Sequence, residues 1–271
     1  MKRITLLFLV LLLALSPLFS QGKDSRSDLA LSLIKKYAPE EYVMVRAYLD
    51  EPVDDLPFKY PKTGVREYIK GKDDFDVFLA LDTIVHELCH GYTGLFGFRY
   101  SHTKIRERNR EFLNGDTTCS SFFISPGKTY TFRHTETFPA RELAEEIPPE
   151  LRVHYHGHYI DTNSRMSTQI VGIYGILDEL NAYYRGTKVS LASLDWLFEN
   201  EASLEQWMKT LHQLNAHRMA VQVFRYYVVA YMVHAGRRHP AVYRGIMKNE
   251  KFRRAYVEID ARASEWLDNY P

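Results

Sequence analysis

The sequence predicts an α+β fold, with a mixed N-terminal part containing a small sheet and a mainly helical C-terminal part. Short runs of alternating apolar and polar residues, the period of a half-buried strand, fall before about residue 165. From Ser167 onward, apolar residues recur at helical spacing. No internal repeat or low-complexity linker interrupts the chain, so the parts at 21–165 and 166–271 meet at a soft boundary.

Residues 1–20 read as an export signal. Lys2 and Arg3 precede the apolar run Ile4 to Leu15, Ser16-Pro17 breaks it, and Ser20 is a small residue before Gln21. The run is shorter than the roughly 20 residues that a spanning helix needs. The mature chain is therefore expected to be secreted or periplasmic, with no stable membrane span.

The elements follow in order. Leu29, Leu33, Ile34 and Tyr37 give Asp28–Tyr37 a helical face, closed by Pro39. Tyr42–Tyr48 alternates like a strand, and Pro52, Pro57 and Pro61 mark a loop. A helix capped by Asp73 or Asp74 then buries Phe75, Phe78, Leu81, Ile84, Val85 and Leu88 and ends near Gly94. His102–Leu113, dense in alternating charge, reads as a solvated helix. Phe122–Ile124 and Thr129–Phe138 are strand candidates, and the second could pair with an extended substrate. Arg141–Ile147 reads as a short helix and Arg152–Ile160 as a strand. Met166–Arg185 is one helix ended by Gly186, followed by helices at Leu191–Asn200, Leu204–Asn215, Ala216–Ala235 and Pro240–Leu267. Met219–Val233 is very apolar, but Arg225 within it argues for a core helix.

Lys and Arg total 35 against 34 Asp and Glu, so no basic surplus points to nucleic acid or an anionic membrane. The two cysteines, Cys89 and Cys119, could form a disulfide in an exported protein, or Cys89 could be a core thiol.

His86-Glu87-Leu88-Cys89-His90 carries the chemistry. On a helix, residues four apart differ by about 40° around the axis, so both imidazoles can grip one zinc ion. Glu87, about 100° round from His86, is placed to act as general base. A third ligand is expected from Glu179. On its helix Gly172, Gly175, Ala182 and Gly186 lie within about 60° of it, a small-residue stripe that admits a neighbouring backbone. If that neighbour is the motif helix, with closest approach at Gly172 and Gly175, Glu179 reaches the metal, and Asp178 points away and should tolerate Asn.

His86, Glu87, His90 and Glu179, with the segment Leu177 to Tyr184, resemble the zinc-binding helices of gluzincin-type, thermolysin-like zincins. The resemblance covers about 40 residues on those two helices. It implies a zincin-like fold, a Zn2+ ion and hydrolysis of a peptide or protein substrate. The chain departs from the pattern where many gluzincins place an acid four residues after the ligand glutamate, because Tyr183 stands there.

The oxyanion donor has several candidates. On a strand, His154, His156 and His158 would share one side. That cluster could line the zinc cleft, with Tyr155, His156 or His158 donating, could bind a metal alone, or could form an exposed strand. His234, Tyr227 and Tyr231 could donate from the C-terminal part. Two other functions use the same residues: a non-catalytic exported metal- or partner-binding protein, and a zinc hydrolase of cell-wall peptide cross-links.

Overall fold

The computed structural model describes residues 24–56, 60–108 and 119–269, without the side chains of 102–108. The export-signal segment and Pro57 lie outside them, as does the end of the His102–Leu113 segment. The described residues are mostly helical with one small antiparallel sheet, an α+β composition.

The helices are α1 (Ser25–Tyr37), α2 (Pro39–Asp50), α3 (Asp74–Leu79) and α4 (Leu81–Arg108). Strands β1 (Cys119–Ser125) and β2 (Lys128–Arg133) follow, then α5 (Ser167–Ile170), α6 (Ile173–Ala192), α7 (Asp195–Glu199), α8 (Leu204–Arg238), α9 (Pro240–Lys248) and α10 (Glu250–Asp268). No helix among the described residues is long and apolar enough to cross a membrane.

Several expectations are corrected. Tyr42–Tyr48 belongs to α2, where Glu41, Met44, Val45 and Tyr48 are buried at helical spacing. Asp73 caps the short α3, accepting from the Asp76 N–H, and the motif lies on the separate α4. Gly94 does not end α4. Glycine serves there for close approach: a Cβ at Gly91 would sit 2.6 Å from the Tyr48 ring, and one at Gly97 only 2.3 Å from the Cys119 carbonyl oxygen.

β2 stops at Arg133, and two of its carbonyls are engaged by Lys251 of α10 and by Asn249, the cap of that helix. Lys251 donates to the Thr131 oxygen and Asn249 to the Arg133 oxygen. Arg141–Ile147 is only a 3-10 turn at Ala140–Leu143. Within Arg152–Ile160 no strand forms: residues 154–160 are helical, ending in a π-turn at His156–Ile160. Gly172, with φ +54°, splits the expected single helix into α5 and α6, and Gly186 lies inside α6. In the C-terminal part α7 covers only Asp195–Glu199 of Leu191–Asn200. The expected break at Asn215 is absent from the continuous α8, and Pro240–Leu267 divides at Asn249 into α9 and α10.

Two hydrophobic cores result. One packs α1 to α4 against one face of α6; the other packs the sheet, α8, α9 and α10 against the opposite face. β1 alternates between them, Phe122 and Ile124 entering one core and Phe123 the other. Arg185 of α6 is wholly buried where the cores join. It donates to Asn181, to Glu41 at 3.1 Å and to the Phe123 and Ile124 carbonyls at 2.7 and 3.0 Å, so its guanidinium is satisfied across three elements.

Candidate metal centre

α4 and α6 run antiparallel, because Asp82 abuts Gly186, Cys89 meets Asn181, and His90 meets Asp178. The tight point is Gly186, where a Cβ would lie 2.7 Å from the Asp82 carbonyl oxygen. Gly172 and Gly175 do not face α4. Gly175 lies against the Ser167 backbone and Gly172 against Tyr231 and Phe138. The small-residue stripe therefore admits the motif helix two turns beyond Glu179, not beside it.

This pairing gathers His86, His90 and Glu179, with one ligand atom of each within 4.8 Å of the others. The two Nε2 atoms are 3.1 Å apart, and Glu179 Oε2 lies 3.4 Å from His90 Nε2 and 3.7 Å from His86 Nε2. Tetrahedral bonds of about 2.0–2.1 Å space their ligand atoms about 3.3 Å apart, so the donors fit a zinc-sized ion. Glu179 is 5 % exposed and its Oε2 has no hydrogen-bond partner, an orphaned buried oxygen that faces the two imidazoles.

Asp178 does not point away. Its Oδ2 lies 2.7 Å from His90 Nδ1, taking that N–H and directing Nε2 inward. The acid that orients a ligand histidine is thus supplied one residue before Glu179, while Tyr183 packs its ring edge-on against His86 at 4.4 Å. Burial, with positive charge on His90 and His217, pulls the His86 pKa well below its ordinary value. Burial also pulls His90 down, but Asp178 and Glu179 together outweigh it and hold that imidazole well above its ordinary range.

Glu87 faces a pocket of about 150 Å³ lined also by Asp82, His86, Tyr159, Tyr183 and His217. Its carboxyl is pushed up by burial and by Glu179 and Asp178, against a downward pull from His90. His217 reaches this pocket from α8. Its Nδ1 lies 2.8 Å from the wholly buried Asp82, which also accepts from Gln213 at 2.6 Å, leaving His217 Nε2 for a ligand. The Tyr159 and Tyr183 hydroxyls bond each other at 3.0 Å, and burial raises both phenols, so both stay protonated.

His217, Asp82 and Tyr159 are absent from the sequence-based candidates. Asp82 stands one turn before His86 on the same helical face, a readable signal; nothing local ties His217 or Tyr159 to the motif. The candidates proposed instead lie elsewhere. The Tyr155 hydroxyl donates to the Ala216 carbonyl, and His156 is buried with Nε2 3.1 Å from the Ala144 carbonyl. His154 and His158 are exposed, and the trio forms no ligand group among the described residues. Tyr227 and Tyr231 are core residues, and His234 lies in a different cluster with Glu142 and His239. Both cysteines are free. Cys89 is buried and accepts from Asn181 at 3.2 Å.

No known protein family, curated protein or solved structure matches this chain.

Proposed function

We propose that this chain is an exported zinc-dependent hydrolase, a metallopeptidase of gluzincin-like design. The supporting observation is the convergence of His86 Nε2, His90 Nε2 and Glu179 Oε2, with Asp178 bonded to His90 and Glu87 on the adjoining pocket. These three donors would hold the ion, and zinc bound there would acidify water and polarise a peptide carbonyl.

The chain's own groups divide the remaining work. Glu87 accepts the proton of the attacking water and returns it to the leaving amine, a role suited by its raised proton affinity. Carrying a proton on each ring nitrogen, His217 donates Nε2–H to the oxygen that gains charge, while Asp82 accepts from Nδ1–H and fixes the ring's orientation. Tyr183 and Tyr159 wall the pocket, and because one hydroxyl donates to the other the pair presents one free O–H donor that does not ionise near neutral pH.

The test is a peptide-library assay on the purified mature chain with its metal content measured. Glu87→Gln is expected to keep the zinc and lose about 10²–10⁴-fold in rate. Turnover at the wild-type rate in that variant would sink the mechanism.

A further inference from the structure

We propose that Glu142, His234 and His239 form a second zinc site, separate from the α4–α6 centre, that clamps the C-terminal end of α8 to the chain beyond the sheet. α8 ends at Arg238 and α9 begins at Pro240, so His239 sits at the reversal. Its ring turns back to 5.6 Å from that of His234. Glu142 comes from the 3-10 turn at Ala140–Leu143. Phe138 anchors that turn, exchanging hydrogen bonds of 2.8 Å with the Tyr231 hydroxyl and stacking on the Tyr231 and His239 rings at 4.0 and 4.4 Å.

The pointer to a ligand is His234. It is 6 % exposed, and neither ring nitrogen makes a hydrogen bond. Yet Nε2 lies 3.8 Å from Glu142 Oε2, and that oxygen lies 2.8 Å from His239 Nε2. These spacings bracket the roughly 3.3 Å between ligands around a tetrahedral ion. Glu146 Oε1 stands 2.9 Å from His234 Nδ1, off the line of a hydrogen bond as the side chains lie, and comes within reach of the Nδ1 proton once the ring turns Nε2 towards an ion. Two imidazoles and a carboxylate suit zinc.

Full-length mature protein stripped by a chelator and titrated with zinc tests this, counting bound ions after gel filtration and following thermal melting. Wild type is expected to take two equivalents. Glu142→Gln and His239→Gln should each take one, and so should His86→Ala, which loses the other. Glu146→Gln should keep two but bind one of them about 10–100-fold more weakly. The zinc-dependent rise in melting temperature that remains in His86→Ala should vanish when Glu142→Gln is added to it; Glu142 is exposed and its replacement isosteric, so folding is preserved. If Glu142→Gln and His239→Gln still bind two ions, the second site is refuted. One wild-type ion that disappears only in His86→Ala refutes it too and leaves the proposed function standing. One that disappears only in Glu142→Gln keeps this site and refutes the function.

Discussion

The two clusters of two histidines and a glutamate use the same donors in opposite surroundings. Each sets a second carboxylate on the Nδ1 of one histidine: Asp178 on His90 at 2.7 Å, and Glu146 on His234 at 2.9 Å. The α4–α6 cluster is fixed by two long helices in contact, its glutamate is buried, and Glu87, His217 and a pocket adjoin it. The cluster at the end of α8 is held by a short turn and a chain reversal, and its glutamate side chain is 39 % exposed. The contrast teaches that ligand chemistry gives a place to hold an ion, whereas hydrolysis also needs a base, an oxyanion donor and an enclosed space.

The largest separation between the clusters is expected from Glu179→Ala. Zinc affinity at the α4–α6 centre should fall more than about 100-fold, beyond the range for an orienting group, with hydrolysis lost and the other cluster unaffected. Metal counting beside activity reads both. His217→Asn should leave zinc at both clusters but lower kcat about 10²–10³-fold; unchanged kcat would return the oxyanion role to another group. Asp178→Asn is next. It should weaken zinc about 10–100-fold at the α4–α6 centre alone, measured by competition with a chelating dye.

Gly186→Leu forces a side chain against the Asp82 backbone and should cost about 1–3 kcal/mol of stability in denaturant unfolding. It should also weaken zinc at the neighbouring centre without touching a ligand. The smallest effect is on pH. His90 has a raised pKa in the metal-free fold, so its contribution to stability is full below its unfolded value near 6.5. That contribution is lost as pH rises through the raised folded value. Zinc must displace the same proton, so its affinity should climb about tenfold per unit below that pKa. Calorimetry in buffers of different ionisation enthalpy should find about one proton released.

What could be read in the sequence depended on where each side chain's partner lay. The motif histidines, Glu87 and Glu179 were legible because helical periodicity alone groups or exposes them. The glycine stripe named the right helix but the wrong contact, since periodicity fixes a face and not the point along it where a neighbour touches. Asp178 was misread for a related reason. A step of 100° turns it away from Glu179, but His90 lies between the two and is reached from both sides. His154, His156 and His158 alternate as a strand would, and so does Tyr42–Tyr48. Over so few residues only tertiary packing decides, and here it chose helix. His217 comes from α8 and is tied to the site by Asp82 and by the Tyr183 ring, pairings that no local pattern encodes.

Cys89, between the motif histidines on the inner side of α4, carries a practical consequence. Burial pushes its thiol up to about 12, so the thiolate that oxidants and alkylating reagents need is scarce while the helices stay together. Cys119 is partly exposed. A thiol reagent on the folded chain should therefore mark Cys119 first, and the slow labelling of Cys89 becomes a clock for how often the α4–α6 seam opens. Zinc should slow that clock.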